Sequence, residues 1–201
     1  MGKRKFENVY QLKITLMYSK PPIWRRIQIP EDSTFRDLHN AIQDVMEWED
    51  SHLHDFYLPE PSDPLNRRNF KTITDLDRLG KGNGGDMGTL EEAEELLSDH
   101  ISIESNIKSF EYVYDFGDNW VHKIVLEKVL PVDKEVLYPV CIAGKRACPP
   151  EDCGGMYGYL EFLEILNDPK DPEYEEHLEW AGGPIDPESF YPEAVIFRHL
   201  R

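Results

Sequence analysis

Tyr112-Val-Tyr-Asp-Phe-Gly-Asp-Asn-Trp-Val-His122 is the stretch around which the chain is organised. Tyr112, Tyr114 and Phe116 alternate with Val113 and Asp115 on the way in. Trp120, Val121, Ile124, Val125 and Leu126 continue on the way out. Gly117, Asp118 and Asn119 between them are residues that accept positive φ at low cost, so the pattern predicts a β-hairpin over about 109–129. A two-residue loop would set odd positions of the first arm against even positions of the second, placing Asp115 and His122 on one face. An acid and an imidazole there can orient a proton, hold a metal or hydrogen-bond each other.

Working outward to the N-terminus, residues 9–18 alternate, with Leu12, Ile14 and Leu16 on one side and Gln11, Lys13 and Thr15 on the other. That is a half-buried strand. Pro21-Pro22 interrupts it, and Ile23 to Ile29 resumes the alternation, with Arg25 on the apolar side and Trp24 and Arg26 opposite, placed to stack. Ser33 or Thr34 caps a predicted helix over 35–46, where Phe35, Leu38, Ile42, Val45 and Met46 recur at helical spacing. His39 sits beside that stripe as a structural histidine. In Trp48 to Leu58, a strand reading puts His52 and His54 on one face, able to share a metal ion. Residues 59–88 read as a long irregular excursion, opened by Pro59, Pro61 and Pro64 and closed by Gly80, Gly82, Gly84, Gly85 and Gly88. The glycines lack the Lys-Ser/Thr of a phosphate loop. Thr89 then caps an expected acidic helix from Leu90 to Leu97, and Ile101–Ile103 is read as a strand.

Beyond the hairpin, Cys141 to Gly155 reads as an irregular loop with Cys141, Cys148 and Cys153. Their spacing slightly misses a zinc knuckle, but three thiols completed by His122 would make a metal site of the zinc kind. The bland alternative is buried thiols and a rigid turn held by Asp152. Helices are expected over Gly158–Leu166, from Asp171-Pro172 to Trp180, and from Pro192 to the end. The fold class is α+β: one compact domain with a mixed, mostly antiparallel sheet, packed by the 35–46 helix and the C-terminal helices.

The net charge of −17 over 201 residues is unevenly spread. Residues 1–30 carry seven Lys/Arg against Glu7, whereas 31–100 carry six against eighteen acids and 151–201 three against thirteen. A broad nucleic-acid surface is disfavoured, because phosphate contacts need cations. Lys3, Arg4, Lys5, Arg25 and Arg26 are the one basic strip. No window approaches the roughly 20 apolar residues of a membrane span. Absence of a signal segment and only three cysteines lead us to expect a cytoplasmic protein.

Pro21-Pro-Ile-Trp-Arg-Arg26, Leu38-His39, Trp48 with Ser51-His-Leu-His54, Tyr114 to His122, and Cys148-Pro-Pro-Glu-Asp-Cys-Gly-Gly155 with Gly158-Tyr159 occur in this order. Together they resemble the plasmid ORF-3-like family, named from an open reading frame on an Agrobacterium root-inducing plasmid. The resemblance covers nearly the whole chain. It implies a compact α+β domain and kinship with proteins of plasmids and mobile elements, some of them transposon passengers. Val121 stands where the family often has an acid, and Tyr191 where Phe-Asp would be expected.

Two functions of different class follow. One is an accessory binding or regulatory protein of a plasmid or mobile element, with an unidentified protein partner docking on the aromatic hairpin and the long 59–88 loop. The other is a metal-assisted or acid–base hydrolase, with nucleic acid as one substrate class. Its candidate catalytic residues are Asp115, Asp118, His122 and Asp152; its candidate ligands for a divalent metal such as zinc are His52, His54, His122, Cys141, Cys148 and Cys153. The hydrolase reading expects the His-x-His stretch, the hairpin and the cysteine loop to converge on one pocket.

Overall fold

A computed structural model describes residues 6–59, 70–79, 88–103 and 107–199. The two alternating stretches are strands β1 (Asn8–Leu16) and β2 (Ile23–Pro30), paired antiparallel with Leu12 opposite Ile27. Helix α1 (Phe35–Met46) follows. Its start is a capping box: Thr34 Oγ1 accepts from the Asp37 N–H at 3.2 Å, and Asp37 Oδ2 accepts from the Thr34 N–H at 2.7 Å. Then come β3 (His54–Pro59), β4 (Phe70–Thr74), the short helix α2 (Leu76–Leu79), β5 (Leu90–Glu91) and α3 (Leu97–His100). The hairpin is β6 (Ser109–Tyr114) and β7 (Trp120–Pro131), followed by β8 (Val140–Lys145), α4 (Gly155–Asn167), α5 (Tyr174–Trp180) and a 3₁₀ turn at Pro192–Ala194.

The strands form one sheet in the order β5-β4-β3-β6-β7-β1-β2-β8, so the hairpin lies at its middle. Every pairing is antiparallel except β4 with β5. This is the expected α+β domain with a mixed, mostly antiparallel sheet. Its core unites the α1 stripe (Phe35, Leu38, Ile42, Val45) with Leu12, Ile14, Ile27, Phe56, Tyr112 and Ile124, all fully buried, and with Tyr159 and Phe162 of α4. Each fully buried aliphatic side chain contributes roughly 1.5–3 kcal/mol, so this shared face holds helix and sheet together. The opposite face is polar: Lys13 and Arg26 lie over the Trp24 ring at 5.1 and 5.0 Å, and Arg26 makes a forked pair with Glu127 at 2.6 and 2.9 Å.

Several expected elements give way to tertiary contacts. The described part of 59–88 is not wholly irregular, since it contains β4 and α2. Pro61, Pro64 and Gly80 to Gly85 lie outside the described residues, as do Lys3, Arg4 and Lys5. The acidic helix from Leu90 to Leu97 does not form. Glu91 accepts from the Leu76 N–H and pairs with Arg36, while Glu92 is buried against His54, and these contacts outweigh the helix propensity of a glutamate run. Residues 101–103 make no strand. Cys141 lies on strand β8, opposite Ile27, rather than in a loop. The final helix shrinks to the 3₁₀ turn.

Candidate functional site at the hairpin mouth

The hairpin loop has five residues, Asp115–Asn119, because Tyr114 pairs with Trp120 and Tyr112 with His122. Asp115 and Asn119 both take left-handed backbone (φ 56°), and the Asn119 N–H donates to the Asp115 carbonyl at 2.6 Å. Even positions therefore face even positions. Asp115 and His122 do not share a face, which corrects the two-residue-loop expectation. His122 points into the core, and Asp115 stands at the mouth with Oδ1 accepting from the Gly117 N–H at 2.8 Å.

Two other segments meet Asp115 there. The β3–β6 register sets His54 opposite Tyr114, and the Asp115 N–H donates to the Leu53 carbonyl at 2.9 Å. One step further out, His52 comes alongside Asp115. The Cys148–Gly155 loop is docked from the other side. Trp48 Nε1 donates to the Pro149 carbonyl at 3.0 Å, and Glu151 accepts from the Glu49 N–H at 2.8 Å and from the Tyr114 hydroxyl. Burial, then Glu151, pushes the Tyr114 pKa up. Asp118 Oδ2 accepts from the Gly154 N–H at 3.1 Å. Gly155 sits at φ +68°, where a Cβ would lie 2.5 Å from the Asp118 carbonyl oxygen. Asp152, itself at φ 60°, is thereby carried to His52: His52 Nε2 lies 2.9 Å from Asp152 Oδ1 and 3.8 Å from Asp115 Oδ2. One ligand-capable atom from each of the three lies within 4.8 Å of the others. Side-chain exposure grades outward, 12% for Asp115, 31% for His52 and 66% for Asp152. Strained φ at two polar loop residues is a pattern that clusters at functional sites.

The remaining expected residues go elsewhere. β3 begins only at His54, so the alternation does not reach back to His52, and the His-x-His pair is split. His54 is buried, with its ring stacked on His39 and Nε2 2.6 Å from Glu92 Oε2. His122 is fully buried with Nδ1 3.0 Å from the Trp120 carbonyl, and burial pushes its pKa down to about 4. The thiols do not gather around it. Cys141 Sγ lies 3.6 Å from the Ala143 carbonyl, Cys148 Sγ 3.6 Å from Met46 Sδ, and Cys153 Sγ 4.0 Å from the Gly155 carbonyl. Burial pushes all three thiols up, Cys153 to about 12, so the thiolate that a metal requires is disfavoured. Two groups of three ligand-capable side chains occur among the described residues, and neither includes a cysteine or His122. A zinc site of three thiols and His122 does not fit this geometry. Asp118 is used as a loop anchor.

Residues 8–194 match the profile of the Plasmid pRiA4b ORF-3-like protein family. The chain belongs to that family. The uncharacterized protein y4hQ of Sinorhizobium fredii (strain NBRC 101917 / NGR234) is 34% identical over 176 residues, which span 87% of this chain and 81% of that protein. The crystal structure of the protein of unknown function MM3350 from Methanosarcina mazei Go1 has a TM-score of 0.82 at 45% identity, covering 96% of this chain and 100% of that one.

In this ORF-3-like chain the two departures from the resemblance lie away from the mouth cluster: Val121 pairs with Val113 in the hairpin, and Tyr191 is exposed next to the 3₁₀ turn. Beside Asp152 runs a groove of about 280 Å³, lined also by Glu161, Phe162, Glu176, His177 and Trp180. Sequence reasoning missed Asp50, set Glu92 on a solvated acidic helix although it is 1% exposed, and held His39 to be structural. Asp50 turns at φ 57°. Burial opposes its ionisation, but His39 and Arg78 overcome this and hold its carboxyl down to about 2. Among the described residues no helix is long and apolar enough to cross a membrane.

Proposed function

We propose that this ORF-3-like chain is a hydrolase whose hairpin mouth holds a divalent cation on His52, Asp115 and Asp152. The carrying observation is the meeting of these three side chains from segments far apart in the chain, at a partly open position beside a groove. One imidazole with two carboxylates suits Zn²⁺, Mn²⁺ or Mg²⁺. The residues fit such an ion: His52 Nε2 is buried and has no well-angled hydrogen-bond partner, despite two carboxylates within 4 Å. A cation held there supplies a coordinated water of lowered pKa. The chain's own residues do the rest. Gly117 N–H fixes Asp115 Oδ1 and leaves Oδ2 toward His52. Glu151, held by Tyr114 and the Glu49 N–H, keeps the Asp152 loop in place.

Substrate class follows from the groove wall. Glu161, Glu176 and Asp152 repel a phosphodiester backbone, while Trp180 and Phe162 offer aromatic surface. An ester or amide of an uncharged or cationic molecule therefore fits better than nucleic acid. A second reading, an accessory binding protein of a plasmid or mobile-element system, draws on Tyr18, Phe116, Tyr157 and Leu160, all exposed at 45% or more.

One experiment separates the two. The metal-free protein is supplied with Zn²⁺, Mn²⁺ or Mg²⁺ and assayed on aryl esters and aminoacyl anilides. Metal-dependent turnover that falls about 100-fold or more in Asp115→Asn and His52→Gln, with thermal unfolding unchanged, supports the hydrolase. No turnover with any cation, or equal turnover in the variants, overturns it in favour of the binding reading.

A further inference from the structure

A second cluster joins two buried imidazoles to a partly exposed carboxylate. His39 comes from the middle of α1, His54 opens β3, and Asp50 belongs to the turn between them. The two imidazoles are stacked, with ring centroids 3.5 Å apart and planes within 5°. Both histidines are 2% exposed.

Each ring has one nitrogen taken and one left over. His54 Nε2 is held by Glu92 Oε2 at 2.6 Å, and Glu92 is itself 1% exposed with Arg36 Nε 3.2 Å from its other oxygen. That leaves His54 Nδ1 buried with no hydrogen-bond partner. His39 Nδ1 meets the Tyr112 hydroxyl at 2.8 Å, a hydroxyl that also accepts from Gln43 Nε2 at 3.1 Å. His39 Nε2 is buried, 3.1 Å from Asp50 Oδ1 but off a hydrogen-bonding angle. A buried polar atom without a partner is costly, and here two lie in one small volume beside a carboxylate. The three side chains each offer a ligand atom within 4.8 Å of the others. An outer carboxylate on one ring and an outer hydroxyl on the other is the arrangement that orients metal-binding histidines.

We infer that His39, Asp50 and His54 form a divalent-cation site of the imidazole-preferring class, two buried rings closed on one side by a partly exposed carboxylate, for which Zn²⁺ or Co²⁺ is the fitting ion. Lone pairs in parallel planes do not converge on one ion, so occupation splays the stacked rings. Arg78, which donates to Asp50 Oδ1 at 2.5 Å and is one-third exposed, moves aside into solvent. The ion ties α1, the 47–53 turn and β3 together. His52 lies two residues from both Asp50 and His54, so the ion positions the mouth ligand without touching it. The inference stands whether or not the mouth is hydrolytic.

The test uses the full chain with His52→Gln and Asp115→Asn together, which removes the mouth cluster, stripped with chelator and titrated with Co²⁺. One Co²⁺ per chain, with a visible ligand-field spectrum, is expected. X-ray absorption should show a shell of nitrogen and oxygen with two imidazoles and no sulfur. Adding Asp50→Asn, a change on a partly exposed turn that leaves the core intact, should weaken binding at least 10-fold, and Glu92→Gln 10- to 100-fold through loss of ring orientation. His54→Gln, checked for folding by circular dichroism, should abolish it. Absence of Co²⁺ binding, binding unmoved by Asp50→Asn and His54→Gln, or sulfur in the shell overturns the site.

Discussion

His122 is sealed in the core, its Nδ1 set against the Trp120 carbonyl and its Nε2 without a partner. Burial brings its pKa down to about 4 from the ordinary 6.5. Folding therefore favours the neutral ring. Above pH 6.5 both folded and unfolded chains are neutral at this site and its contribution is complete. As the pH falls from 6.5 to 4, the unfolded chain takes the proton first and stability is lost, on the order of 3 kcal/mol. The expected outcome is a urea midpoint that falls more steeply over this range in the wild type than in His122→Leu; parallel curves would contradict it. Arg25 is a buried charge, satisfied by the carbonyls of Val45, Trp24 and Lys145 and set 3.7 Å from the centre of the Phe190 ring. Its place on the apolar side of β2 was legible from alternation. What it would meet there was not, because Val45, Lys145 and Phe190 are remote in the chain.

At the level of elements, α4 is seated against the cysteine loop by glycine. A Cβ at Gly158 would fall 1.8 Å from the Cys153 carbonyl oxygen, a backbone atom that cannot swing away. Gly158→Ala is expected to cost about 1–3 kcal/mol through overpacking and to lower the melting temperature by several degrees. Because the same loop carries Asp152, the substitution should also lower the metal-dependent turnover we propose, whereas a surface change such as Glu164→Ala should leave both unchanged. Strands β1 and β2 and helix α1 were readable because their periods of 2 and 3.6 are local properties of the chain. Leu90–Leu97 misled for the opposite reason. Its glutamates have helical propensity, but Glu91 and Glu92 reach Arg36, Leu76 and His54, and those contacts decide the backbone.

Over the whole molecule the −17 charge outweighs any local basic strip. On the polar face of the sheet Arg26 is already paired with Glu127, and Lys13 lies over Trp24. Mobility-shift titration with duplex DNA at 150 mM salt is expected to show no complex at micromolar protein; a complex whose affinity falls with a steep salt slope would contradict it.

Read as a string of residues, the chain carries the fold class, the central hairpin, the 35–46 helix and the family, since these rest on short-range periodicity and ordered motifs. It also marked the three segments that meet at the mouth. Which side chains within them meet follows from strand register and loop length. A five-residue loop instead of a two-residue one reverses the facing of His122, and a strand that starts at His54 parts it from His52. The cysteines were set aside by burial, and His39, Asp50 and Glu92 were brought together by packing of α1 on the sheet. Register and burial are properties of contacts between distant residues, and no local pattern encodes them.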